Sequence, residues 1–296
     1  MPFEGTHTAI VTPFKDDRID AEAYARLIDR QIEGGVNGVV AVGTTGESAT
    51  LDHEEHIRAI GLAVEAARGR CQIIAGTGSN CTKEAIAMTR EAEGVKADAA
   101  LLVAPYYNKP SQEGLYRHFR AIADATGLPV ILYSVPGRCG IEIGVETTRR
   151  LAADCANVVA IKEAGGSVDR ISQLRDALPG DFTILSGDDA LVLPSLAAGA
   201  TGVISVTSNV VPAAVARMVK AFAAGNATEA RELHARYYPL HKDLFIEPNP
   251  VPAKTALAWM LDWMRPDVRL PLCEMSEGNA RQLRQTLTTL DLLPAA

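Results

Sequence analysis

The stretch VVAIKEA (158–164) sets one lysine, Lys162, into a run of apolar residues. An ammonium group is costly to bury without a partner. A buried amine that sheds its proton is a nucleophile able to attack a ketone and form a Schiff base. The bland alternative is an edge-strand lysine that discourages aggregation. Tyr133, in ILYSVP, offers a phenol that can carry protons during such chemistry; the alternative is an ordinary core or rim tyrosine. Arg138 follows Pro136 and Gly137. Its planar fork suits a substrate carboxylate, and otherwise it is a surface arginine. GTTGES (43–48) brings backbone N–H groups and hydroxyls to a turn, a setting that can hold an anion. It also reads as a tight turn in which Ser48 or Thr50 caps a helix. It lacks GxxxxGK[ST], so no nucleotide P-loop is indicated. His53 and His56 lie three apart in LDHEEHIR, which is not HExxH, and no third ligand is evident. No metal site is expected from them.

These side chains need a scaffold that brings distant parts of the chain together. Eight short runs rich in Val, Ile and Leu recur at 7–14, 36–43, 72–78, 99–107, 129–136, 158–164, 182–189 and 202–209. They show little polar alternation, the pattern of strands buried on both faces. Amphipathic segments separate them, such as 20–33 and 82–93, the latter with Thr82 as a candidate cap. The expected fold class is α/β, a (β/α)8 TIM barrel over residues 1–225. A doubly wound open sheet is the alternative, weakened because no GxGxxG follows the first strand. Residues 226–296 show helical patterns alone, at 227–245, 252–264 and 277–293, and read as a C-terminal helical extension. In such a barrel chemistry sits at the C-terminal ends of the strands. Here those ends carry GTTGES, YYNKPSQEG (106–114), Tyr133 and Arg138, Lys162 and Glu163, and SGDD (186–189). Strand periodicity of two puts Val158, Ala160 and Lys162 on one face.

Composition bounds the rest. The chain has 296 residues, 47% of them hydrophobic, ample for a large core. The net charge of -7, without a dense Lys/Arg run, argues against a nucleic-acid partner. No apolar run approaches the ~20 residues of a membrane span. The start, MPFEGTHTAIVTPF, does not read as a signal peptide. Five scattered cysteines form no CxxC pair and read as reduced thiols of a cytoplasmic protein. Cys139, beside the Arg138 cation, is a candidate for a lowered thiol pKa and oxidation, with a silent loop thiol as the favoured reading.

GTTGESATL, APYYNKPSQEG, Y-x-V-P-x-R, IKEA and SGDD together resemble the 4-hydroxy-tetrahydrodipicolinate synthase (dihydrodipicolinate synthase) family of pyruvate-dependent class I aldolase-lyases. The resemblance runs from about Thr8 into the C-terminal helices. It implies that Lys162 forms an imine with pyruvate, and that Tyr133, Thr44 and Tyr107 form a proton relay. In the family the tyrosine at position 107 crosses from a neighbouring subunit. Thr45 is implied to bind the pyruvate carboxylate and Arg138 the carboxylate of L-aspartate 4-semialdehyde. Gly187 and Ile204 are implied to line the site through their backbones. The imine serves as electron sink, so no metal or organic cofactor is expected.

A second set, Ser48, Ala49, His53, His56, Asn80, Glu84 and Tyr106, matches positions where lysine-sensitive members bind L-lysine as feedback inhibitor. The family's homotetramer, a dimer of dimers, is the expected assembly. Ser134 replaces the asparagine frequent at that position, and Gly137 and Cys139 flank Arg138 where bulkier or hydroxylated residues are usual. Rival readings are an N-acetylneuraminate lyase or 2-keto-3-deoxy-sugar acid aldolase of the same family, and a catalytically silent binding or regulatory barrel.

Overall fold

The computed structural model describes residues 3–294. Eight parallel strands close into a barrel: β1 (Gly5–Ala9), β2 (Gly38–Ala41), β3 (Gln72–Gly76), β4 (Ala99–Val103), β5 (Val130–Ser134), β6 (Val158–Glu163), β7 (Thr183–Ser186) and β8 (Gly202–Ser205). Each lies within one of the eight apolar runs or overlaps its start. Closure comes from β1, which pairs with β2 through His7 against Gly38 and with β8 through Gly5 against Gly202. Helices stand between successive strands and bury the outer faces, which explains the near-continuous Val, Ile and Leu of the strands. The open-sheet alternative is thereby set aside.

Local signals fix the helix ends. Asp20 accepts from the Ala23 N–H at 3.0 Å and starts helix Ala21–Glu33. Asp52 and Glu55 form a capping box at the head of helix His53–Ala67. Asp52, rather than Ser48 or Thr50, is therefore the cap after GTTGES. Thr82 is not a cap either. It is the first residue of helix Thr82–Gly94, and its hydroxyl bonds His118 Nδ1 at 2.9 Å. The sequence also gave no sign of the small antiparallel hairpin of Phe14–Lys15 and Arg18–Ile19.

In β6 the register runs Val130 against Val158, then Ile131 against Ala160. Val159 is an extra residue, so the expected alternation is interrupted between Val158 and Ala160 and holds for Ala160 and Lys162. Beyond the barrel, helices Ala227–Asp243, Val251–Met260 and Glu277–Thr289 follow. Their Leu240, Leu244, Ala256, Leu257, Leu283 and Leu287 belong to the same buried cluster as the barrel residues. Among the described residues no helix is long and apolar enough to cross a membrane.

Candidate active site

Strand ends and C-terminal helices enclose a cavity of about 280 Å³. Thr44 and Thr45 reach it from the turn after β2, Tyr133 from β5, Arg138 from the short helix Pro136–Cys139, Lys162 from β6, and Gly187 and Asp188 from beyond β7. Lys162 is 6% exposed. It stands opposite Tyr133 in the β5–β6 register, with its Nζ 4.3 Å from the centroid of the Tyr133 ring. The electron-rich face of the phenol thus lies beside the amine.

Gly187 has no Cβ for a physical reason. A Cβ there would lie 2.9 Å from Lys162 Cε and 2.6 Å from Ala164 Cβ, closer than real contacts allow. Its glycine leaves the space that the lysine stem fills. The neighbour of Lys162, Glu163, takes the other side of the strand. It meets Arg170 at 3.3 Å and accepts the Gly165 N–H at 2.8 Å. Burial raises the Glu163 pKa, with the Arg170 charge opposing.

Asn249 donates from Nδ2 to Thr45 Oγ1 at 2.9 Å. A hydroxyl oxygen that accepts this bond keeps its own proton free to donate elsewhere. On the far wall lie His241, Lys242 and Phe245. His241 Nδ1 bonds Thr207 Oγ1 at 3.0 Å, and burial lowers its pKa against the opposing charge of Asp189. Asp189 in turn accepts the N–H groups of Val206 at 2.8 Å and Thr207 at 3.1 Å, tying the ends of β7 and β8 together.

A second, larger cavity of about 490 Å³ shares Thr44, Val135, Arg138 and Asn249 with the first. Six of the seven residues of the second expected set line it: Ser48, Ala49, His53, His56, Glu84 and Tyr106. Glu84 accepts from the Ser79 hydroxyl and lies 2.7 Å from His53 Nε2. The Ser79 bond, then partial burial against it, then His53 set the Glu84 pKa below its ordinary value. His56 Nε2 donates to the Gly76 carbonyl at 2.6 Å, and burial lowers its pKa. Asn80 stands outside the wall and donates to the Tyr106 carbonyl at 3.2 Å. Among the described residues no group of three or more His, Cys, Asp or Glu side chains is placed to hold a metal ion.

Two expected site residues sit apart, and one candidate thiol property is not found. Tyr107 is 91% exposed, with a left-handed backbone at φ 71°, and lines neither cavity. Ile204 is buried in β8 and also lines neither, although Val206 beyond it does. Cys139 does not have a lowered pKa. Burial pushes its thiol up to about 11, outweighing the Arg138 charge.

Sequence reasoning missed Asn249, His241, Lys242 and Phe245. The only available signal was Pro-Asn-Pro at 248–250, legible as a break and not as a cavity wall. It also missed a second buried lysine, Lys254, although VPAKTAL repeats the pattern of a lysine in an apolar run.

Residues 2–290 match the model of the dihydrodipicolinate synthetase family. The chain is 50% identical over 293 residues to the 4-hydroxy-tetrahydrodipicolinate synthase of Nitratidesulfovibrio vulgaris, covering 99% of this chain and 100% of that one. It is similar to a chloride-inhibited dihydrodipicolinate synthase from Acinetobacter baumannii solved with pyruvate, at 45% identity and a TM-score of 0.95, covering 98% and 99% of the two chains. It is likewise similar to a DHDPS from Cyanidioschyzon merolae solved with lysine bound, at 43% identity and a TM-score of 0.94, again covering 98% and 99%. Full-length matches of this strength, on a barrel whose cavity gathers Thr44, Thr45, Tyr133, Arg138 and Lys162, make the chain a lyase that belongs to the dihydrodipicolinate synthetase family.

Proposed function

We propose that this chain condenses pyruvate with L-aspartate 4-semialdehyde to give 4-hydroxy-tetrahydrodipicolinate, at the entry to lysine and diaminopimelate biosynthesis. The observation that carries this reading is the buried Lys162 amine at the cavity wall, in register with Tyr133. The Lys162 amine adds to the ketone of pyruvate, and loss of water gives the imine. Loss of a methyl proton gives the enamine, whose carbon forms the new bond to the aldehyde of the second substrate. The amine of that substrate then attacks the former ketone carbon, displaces Lys162 and closes the ring. The imine is the electron sink, so the bond-making steps need no metal or organic cofactor.

The other roles follow from position. Tyr133 and Thr44 move protons between the reacting atoms and solvent. Thr45, whose hydroxyl proton is left free by Asn249, binds the pyruvate carboxylate. Arg138 takes the carboxylate of the semialdehyde as a bidentate pair. Gly187 and Ile204 contribute through the backbone of their strand ends. Tyr107 completes the relay from a second copy of the chain. Its exposure in the single chain supports this, as does its absence from both cavity walls. We read the working form as a homotetramer in the cytoplasm.

The second cavity binds L-lysine as feedback inhibitor. Glu84 is the partner for an ammonium, and Asn80 and Tyr106 hold the carboxylate. The lysine-bound relative supports this reading, as does the wall shared through Thr44 and Arg138.

Product formation from the two substrates, compared between wild type and Lys162→Ala, tests the proposal. Turnover by wild type that falls by at least ~10³-fold in the variant is expected. A folded wild type that turns over N-acetylneuraminate or a 2-keto-3-deoxy-sugar acid instead would replace it.

A further inference from the structure

Glu47 and Lys254 form an ion pair with both side chains 0% exposed, Lys254 Nζ lying 2.5 Å from Glu47 Oε1. Lys254 Nζ also donates to the Asp267 carbonyl at 2.6 Å and sits 4.1 Å from the centroid of Phe14. The second carboxylate oxygen of Glu47 accepts the Arg269 N–H at 3.0 Å. Every partner of the carboxylate therefore comes from the segment after the barrel. Glu47 itself has a left-handed backbone, φ 57°, which a side chain disfavours.

A dry ion pair is a weak net stabiliser, because desolvation offsets much of the attraction. What it supplies is a fixed distance and direction. The residues fixed here are informative. Before Glu47, across Gly46, stand Thr44 and Thr45 in the wall of the first cavity, and directly after it Ser48 and Ala49 in the wall of the second. Asn249 holds Thr45 from the same segment. The strained turn is thus pinned at its bend and just before it by groups more than 200 residues away in sequence.

We propose that Lys254 is a positioning residue for the reaction: through Glu47 it fixes the turn that presents Thr44 and Thr45 to the cavity. The activity readout rests on the function proposed above; the structural readout does not.

The test uses the full-length double variant Glu47→Gln/Lys254→Met. It removes both charges without stranding either, and its amide oxygen can still accept the Arg269 N–H. Thermal unfolding, kcat and KM on the two substrates, and amide hydrogen exchange across 43–50 are compared with wild type. The expected result is a Tm close to wild type, a kcat lower on the order of 10²-fold from displacement of the reacting groups, and faster exchange across the turn with the barrel strands unchanged. A folded variant with wild-type kcat, or with wild-type exchange at 43–50, overturns the proposal. If the wild type itself fails to turn over these substrates, the function reading fails and the exchange result alone decides. If the double variant does not fold, Glu47→Gln alone carries the same readouts.

Discussion

Tyr133 and Lys162 face each other across β5 and β6, paired in register, with the amine 4.3 Å from the centre of the phenol ring. Strand hydrogen bonding sets the register of their backbones. Tyr133→Phe keeps the ring beside the amine and removes only the hydroxyl. Turnover is expected to fall by about 10²–10⁴-fold, with Tm nearly unchanged. Steady-state rates and thermal unfolding of the same preparation check this. Wild-type rates in the variant would overturn the proposed proton-carrying role of Tyr133.

Gly187→Ala tests whether the site depends on the missing Cβ. The added methyl meets Lys162 Cε and Ala164 Cβ well inside contact distance. Overpacking of this kind costs about 1–3 kcal/mol. Because the Lys162 stem is the more flexible neighbour, most of the damage should appear as lost imine formation. Borohydride trapping with pyruvate, read by mass spectrometry, should show less adduct than wild type. Equal trapping would mean that the lysine has room the static geometry does not reveal.

Glu84→Ala addresses the second cavity. The carboxylate is the one acidic group of the expected inhibitor set. Loss of a hydrogen-bonded charge partner should raise the L-lysine concentration for half-inhibition at least about tenfold. A lysine titration of initial rates checks it, and an unchanged midpoint would place the ammonium elsewhere.

Acid should weaken the fold in a definite window. Burial lowers His7 and His118 to about 4 from an ordinary value of 6.5. In the unfolded chain each takes up its proton as pH falls through 6.5, while the folded chain resists until about 4. The stability present above pH 6.5 is therefore lost progressively as pH falls from 6.5 to 4, by about 3 kcal/mol per histidine. Urea midpoints across this range should decline, and His7→Gln should make the decline shallower. An equal slope in the variant would rule out His7 as a source.

The barrel was legible because each strand is buried on both faces and so carries an apolar run bounded by turns. Lys162 was legible for the same reason, as an ammonium group set into such a run. The caps Asp20 and Asp52 went unread, Asp52 because GTTGES drew attention to Ser48 and Thr50 instead. Of the two readings of Cys139, the lowered pKa fails because burial outweighs the charge of Arg138, and the silent thiol stands. Asn249 and Lys254 were illegible as site residues for a deeper reason. Their partners, Thr45 and Glu47, lie at the opposite end of the sequence, and no local periodicity encodes that meeting.

The far wall of the cavity comes from His241, Lys242, Phe245 and Asn249, all encoded after the last barrel strand. A ribosome that has delivered all eight strands has still not delivered a whole pocket. During synthesis Lys162 is therefore made well before the surface that encloses it, and a closed cavity is among the last features the emerging chain acquires.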